Sequence, residues 1–373
     1  MSILKNREWY YLIFIMILNG LASAGLTSQD PAYRVLFAVA AVFFCLKILA
    51  TTFSLKEYIF MVIILILLGV CFWRNHEKTL ILSVMGILGC KDISVKKILT
   101  YNLYLKIGLT IFAVSFALIG IVENEPIALP KGGEIFNLYC FGYYSPNALF
   151  ANLFLICLMI VAVYQGSVKL WGYIGMTAGL YLAYKILMCR TGLVVWLLFL
   201  LMVLGYWILR NSKLKRGYLF LFILIPLLCC AATFITAVLY GRGNRAAVWL
   251  DGLLTGRIKH IAPFLLGSQS FTILGNVPRE PFDSIYMHLY YNYGVILFTI
   301  GIMAYIAAMY RLWKKSKDFP LMILGIMSVY GFMEQFPLNV TWNLFLLYIG
   351  AALFEKNERI YGRKQEKSDA AVL

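Results

Sequence analysis

Apolar runs long enough to cross a bilayer recur along the whole chain, separated by short polar stretches. A helix rises about 1.5 Å per residue, so roughly 20 apolar residues cover a hydrocarbon layer of about 30 Å. On this measure the pattern predicts twelve spans, near 9–27, 33–53, 57–73, 79–90, 100–122, 146–164, 171–188, 191–209, 218–240, 284–310, 320–336 and 338–354. The run at 79–90 is short for a full crossing. No repeat of 20–50 residues is evident, which argues against a solenoid, and there are no duplicated halves. The expected fold is an all-α polytopic membrane protein, a single integral membrane domain over 1–373, with a large external loop at 241–283 between the ninth and tenth spans.

The basic residues set the orientation. With the N-terminus inside, the internal segments hold Lys5 and Arg7, Lys56, Lys91, Lys96 and Lys97, Lys169, Lys213, Lys215 and Arg216, Arg311, Lys314, Lys315 and Lys317, and the tail from Lys356 to Lys367. The short external loops hold only Arg34, Arg74, Lys78 and Lys131. Cytoplasmic loops are enriched in Lys and Arg, so an even number of spans with both termini cytoplasmic is the expected topology. Composition agrees. The chain is 62% hydrophobic and 13% charged, against about 45–50% and about 25% in soluble domains, too few charges to cover an aqueous surface. The net charge of +16 is spread over loops rather than over one soluble face, which fits an anionic leaflet and speaks against nucleic-acid binding.

The eight cysteines lack paired spacing and mostly lie in apolar runs, so they read as small core residues. Cys140 alone falls well within an external loop. Lys5, Arg7, the apolar stretch and Ala22-Ser23-Ala24 imitate a signal peptide, but an uncleaved first span is the usual start of a polytopic chain.

Two external segments are long. The first, 123–145, is broken by Pro and Gly and carries Glu123, Glu125 and Glu134. The second, 241–283, carries Arg242, Arg245, Arg257, Lys259 and Arg279 against the charge rule, and chemistry is sought there. Trp249, Leu250, Leu253, Leu254, Ile258 and Ile261 recur at helical spacing, with Arg245, Asp251, Lys259 and His260 at other positions. This predicts an amphipathic helix in the outer interface, interrupted by Gly267 and Gly275.

Candidate chemistry gathers at the external ends of the spans. Arg190, in Cys189-Arg190-Thr191-Gly192, offers a planar fork of donors to phosphate oxygens; the alternative is a snorkelling boundary residue. Arg257, Arg245 and Arg242 are further anion ligands or solvated loop cations. Asp283 accepts a proton or positions a sugar hydroxyl, unless it or Ser284 only caps the next helix. Tyr286 and His288 follow within the first turns. In Ser145-Pro146-Asn147, Ser at the cap and Pro at the first helical position suffice structurally, and Asn147 is placed to bond a sugar or phosphate. Glu334 and Gln335, just before Pro337, are candidates by position only. There is no P-loop, no metal-ligand pair at helical spacing and no Asp-x-Asp of metal-dependent glycosyltransferases. Asn339-Val340-Thr341 matches the glycosylation sequon, which three residues do easily by chance.

The order Leu250-Asp-Gly-Leu-Leu-Thr-Gly-Arg257, Phe264-Leu-Leu-Gly267, Phe282-Asp-Ser-Ile-Tyr286 and Tyr293-Gly294-Val-Ile296 resembles the Wzy-type polysaccharide polymerases, within the O-antigen ligase/polymerase group. Tyr144-Ser-Pro-Asn147 is similar to that family's His-Pro-Asn start of a span, with Ser145 where His is common. Arg190-Thr-Gly192 resembles its Ser-Arg-Thr turn, and Lys91 before Lys96 and Lys97 also suits it. About sixty residues carry these motifs. The ligase branch places a His at the start of the span after the large loop. Asp283-Ser284 stands there in this chain, so no catalytic His is transferred.

The resemblance implies a glycosyltransferase of the bacterial cytoplasmic membrane. A growing glycan would move from undecaprenyl pyrophosphate onto a new lipid-linked repeat unit at the outer face. It implies no cofactor, metal or nucleotide sugar; lipid-linked oligosaccharide and membrane lipid as partners; and association with a chain-length regulator and a flippase. Arg190, Arg245 and Arg257 would hold the pyrophosphate, Asp283 would take the acceptor proton, and Asn147, Tyr286 and His288 would contact substrate. A ligase on the same fold and an oligosaccharide transporter are the competing expectations.

Overall fold

The computed structural model describes residues 6–354 apart from 25, 27–29, 123, 125, 132–133, 268–270 and 278. Lys5, Glu123, Glu125 and the basic tail lie outside the described residues. The described chain forms helices α1 (Arg7–Ser23), α2 (Pro31–Leu49), α3 (Leu55–Asn75), α4 (Thr79–Gly89) and α5 (Val95–Leu118), a hairpin β1 (Ile127–Lys131) and β2 (Glu134–Leu138), then α6 (Pro146–Tyr164), α7 (Leu170–Leu187), α8 (Arg190–Leu209) and α9 (Lys215–Gly241). There follow α10 (Arg245–Leu253) and α11 (Arg257–Leu266) in the long loop, and finally α12 (Ile285–Lys314), α13 (Asp318–Met333) and α14 (Leu347–Phe354). The antiparallel hairpin, with Ile127 opposite Leu138, is the departure from an all-helical expectation.

Seven of these helices, α2, α3, α5, α6, α8, α9 and α12, are long and apolar enough to cross a membrane. Their outer faces explain why. Val39 and Val42 on α2, Val62 and Ile66 on α3, and Leu201 and Leu204 on α8 are exposed, while Asn19, Asn102, Lys106 and Asn152 are fully buried. Apolar side chains outside and polar ones inside are stable when hydrocarbon is the solvent. The chain is a helical membrane protein.

Local chemistry starts several helices. Ser54 and Glu57 form a reciprocal capping box on α3. The Ser145 hydroxyl accepts from the Ala148 N–H at 3.2 Å, with Pro146 in the first position of α6.

Ion pairs gather at one end of the bundle. Glu8 at the start of α1 meets Lys97 at the start of α5 at 2.7 Å, and Lys215 at the start of α9 meets Asp318 at the start of α13 at 2.6 Å. Arg7–Asp92 and Lys91–Glu57 join the same basic end. At the other end Ser23, closing α1, accepts through its carbonyl from the Tyr143 hydroxyl at 2.9 Å. There α9 and α13 finish beside α11.

The structure divides the long loop where the sequence pattern read one stripe. Thr255 and Gly256 both take left-handed conformations, φ 59° and 83°, so the chain turns between α10 and α11. The buried Asp251 accepts from the Lys259 N–H at 2.9 Å and ties the two helices together. Ala247 of α10 and Ile258, Ile261 and Ala262 of α11 are buried, whereas Trp249 and Leu253 face outward. α12 is interrupted at Gly294, φ 82° and ψ 169°. The preceding loop and the end of α3 fill the break: Asn276 N–H donates to the Tyr291 carbonyl at 2.9 Å, Val295 N–H to the Thr272 carbonyl at 3.0 Å, and Asn75 Nδ2 to the Asn292 carbonyl at 2.6 Å.

Candidate functional site

At the end of the bundle opposite the basic clusters lies a polar cavity of about 230 Å³. The start of α6 supplies Tyr144, Ser145 and Asn147, and the residue before Ser284, the cap of α12, supplies Asp283. The end of α13 and the turn after it supply Tyr330, Glu334, Gln335, Phe336 and Trp342. The helix starts at 145 and 284 and the helix end at 333 therefore meet on one hollow.

Arg257, the first residue of α11, is 16% exposed at its side chain and joins two of these walls. Its Nε lies 3.1 Å from Asp283 Oδ2, and its Nη2 lies 2.6 Å from Glu334 Oε1. Gly256 places it there, because the left-handed turn that glycine adopts without penalty aims the start of α11 inward. The two carboxylates differ. Asp283 is half exposed, while Glu334 is 17% exposed at its side chain. Burial pushes the Glu334 carboxyl above the ordinary glutamate value, more than Arg257 pulls it down, and the charge of Asp283 adds to the rise. Asn147 contributes a third acceptor. Its Oδ1 is shut off from solvent and has no hydrogen-bond partner.

Arg190 opens α8 at the same end and is exposed, with no ion pair among the described residues. Its first turn packs directly behind the cavity. A Cβ at Gly192 would collide with the Phe150 ring and the Tyr330 hydroxyl, and Tyr330 lines the hollow. That contact accounts for glycine in Arg190-Thr-Gly192.

Comparison with protein-family models, curated proteins and solved structures finds no match. The functional reading stands on this geometry and on motif order.

The structure brings together Arg257, Asp283 and Asn147, and adds Glu334, which sequence position only suggested. Arg245, Arg242, Arg190, Tyr286 and His288 do not meet there. Arg245 is exposed at the start of α10 and Arg242 is exposed beside it, and neither lines the cavity. The three arginines expected to hold pyrophosphate therefore do not converge: Arg257 is occupied by carboxylates, and Arg190 stands outside the hollow. Tyr286 is 1% exposed and donates to the Ser328 carbonyl at 3.1 Å. His288 is 4% exposed, with Nδ1 3.0 Å from Asn292 Nδ2. Both follow Asp283 in sequence, but the helix turns them into packing against α13 and the α3–α4 corner. Neither lines the polar hollow: Tyr286 lines a separate apolar cavity, and His288 is packed against Asn292.

Tyr144, Phe336 and Trp342 are the residues that sequence reasoning passed over. Three aromatic residues at the ends of predicted spans were the available signal, since sugar faces carry apolar C–H groups. Among the described residues no cluster of His, Cys, Asp and Glu could hold a metal ion.

Proposed function

We propose that this chain polymerises lipid-linked oligosaccharide repeat units at the outer face of a bacterial cytoplasmic membrane. A growing glycan is transferred from undecaprenyl pyrophosphate to a new lipid-linked unit. In this reading the chain crosses twelve times with both termini cytoplasmic, and the 241–283 loop is external. The observation that carries it is Arg257 held between Asp283 and Glu334 on the wall of an aromatic-lined hollow, at the end away from the basic clusters. Carboxylates and amides bond sugar hydroxyls, and rings cover their apolar faces. The motif order supports the same assignment.

The chemistry divides between two places. The acceptor hydroxyl sits in the cavity and gives its proton to Asp283, whose half-exposed carboxylate is oriented by Arg257. The oxygen attacks the anomeric carbon as the carbon–oxygen bond to the diphosphate breaks. The electron pair leaves with the diphosphate, and Arg190 at the start of α8 meets that charge, helped by the helix N-terminus. An apolar cavity lined by Ile64, Leu289, Leu297, Met327 and Leu346 reaches Ile285 and Pro337, close in sequence to Asp283 and Glu334. It offers the prenyl tail an apolar bed.

Deletion in the native host is the test. Surface glycan reduced to a single repeat unit supports polymerisation, and unchanged chain length overturns it. Long lipid-linked polymer accumulating after deletion would assign a ligase on the same site. The break in α12 is the feature a transporter would use, and repeat units trapped on the cytoplasmic leaflet would select that reading.

A further inference from the structure

The cavity is rich in acceptors and holds no cation that faces it freely. Its lining includes two carboxylates, Asp283 and Glu334, and neither lysine nor arginine. Arg257 reaches both carboxylates and is shared between them, so the group carries one net negative charge. Lys106 stands behind the Trp342 ring, 5.6 Å from its centroid. It is fully buried and donates to Asn19 Oδ1 and Ser23 Oγ, both at 3.1 Å. Its donors therefore point into the bundle. Asn147 Oδ1 adds a neutral acceptor with nothing donating to it. A shielded acceptor of this kind costs free energy until a ligand donor reaches it.

An anion entering here would face two carboxylates and an unfilled carbonyl oxygen across a partly desolvated space, where like charges repel strongly. The several hydroxyls of a sugar, or an ammonium with its three donors, would suit these acceptors. We infer that the hollow receives a donor-rich sugar, neutral or carrying a free amine, and discriminates against acidic sugars such as uronates. This rests on the glycan-transfer reading and names the sugar class its acceptor site takes. It also separates the site into a negative sugar pocket and a positive diphosphate position at Arg190, so Asn147 serves the sugar rather than a phosphate.

The test uses the full chain in lipid nanodiscs and saturation-transfer NMR with three probes: methyl β-glucosaminide, methyl β-glucoside and methyl β-glucuronide. The expected order is amine, then neutral, then acid, with about tenfold or more between the first and the last, as a charged hydrogen bond gives. Asn147→Leu should weaken the first two probes, while Asn147→Asp should keep them and favour the amine further. Glu334→Gln should narrow the gap between amine and acid. A monodisperse protein with an unchanged melting temperature confirms that each variant is folded, and the Asn147→Asp variant keeps the test valid if Asn147→Leu is not. Glucuronide binding as well as the others, or no transfer to any probe, overturns the inference. If deletion shortens surface glycan but no probe binds, this inference falls and the polymerase reading stands. If chain length is unchanged while the probes follow the expected order, the sugar pocket stands in a protein with another task.

Discussion

Arg257 and Arg279 each reach a glutamate at the same end of the helix bundle, yet the two settings differ. Arg279 meets Glu77 in the corner between α3 and α4, and that carboxylate is well supplied. Its Oε1 accepts from the Thr79 N–H at 3.1 Å and the Thr79 hydroxyl at 2.6 Å. Burial would push Glu77 up, but the Thr79 donors and then nearby positive charge hold it below the ordinary value. Glu334 has Arg257 and no neutral donor among the described residues, and burial wins. The first pair is a finished structural joint. The second leaves an incompletely satisfied carboxylate on a cavity wall, which is the common condition of a functional site. Arginine pairing alone does not mark a site; what the surrounding chain withholds does.

The sharpest way to break this contrast is Arg257→Ala. It strands Glu334 and should lower stability by about 3 kcal/mol, with little added by Asp283, which is half in solvent. Glycan extension should be lost with it. The double variant Arg257→Met with Glu334→Leu should recover much of the melting temperature and none of the extension, which separates the fold's need from the site's. Next is Gly294→Ala. It forces a side chain into left-handed backbone against the Ile273 carbonyl, and should cost about 2 kcal/mol by thermal melting.

The two glutamates should also respond to pH in opposite senses. Glu334 has a raised value in the folded protein, so the folded state holds its proton more tightly. Its contribution to stability falls as pH rises from the ordinary glutamate value through the raised one. Glu77 has a lowered value, so its contribution is present above the ordinary glutamate value and is lost as pH falls through the lowered one. Melting curves across pH for Glu334→Gln and Glu77→Gln should each remove one slope. Smaller still, Arg279→Ala should cost less than about 1 kcal/mol, because its guanidinium is largely exposed, and should leave chain length unchanged. Arg245→Ala, on an exposed site, should fall within about 0.5 kcal/mol of the parent. A large loss of extension in that variant would reopen the three-arginine arrangement.

Hydropathy located apolar helical segments along the chain, seven of those described long enough to cross a membrane, because a run of apolar residues between polar turns needs no distant information; within 338–354 only Leu347–Phe354 is α-helical. The cap at Ser145 with Pro146 was equally local. The hairpin at 127–138 was not legible, since its strands are five residues each and Pro130 sits within one. The division of the long loop at Thr255-Gly256 was hidden because Leu254 and Ile258 keep helical spacing across the turn. The break at Gly294 was hidden for a similar reason, as apolar residues flank it on both sides. Of the site, Asp283, Arg257 and Asn147 carried local signals in caps, glycine turns and charge against topology. Glu334 lies 77 residues from Arg257, so only folding reveals the pair. Tyr286 and His288 follow Asp283 in sequence yet do not line the polar hollow, because neighbours along a helix point in different directions. Lys106 was passed over as one polar residue in an apolar run, though it is fully buried.

The interruption at Gly294 makes α12 an articulated part rather than one rod. Its first stub begins just after Asp283 and accepts at the Tyr291 carbonyl from Asn276, while the long second piece opens with Val295 donating to the Thr272 carbonyl and runs on to Lys314. The carboxylate facing the hollow is therefore mounted on the loop's own unit. Thr272 and Asn276 hold the loop to both sides of the break, so a shift of the 241–283 segment reaches Asp283 and both pieces of the helix together.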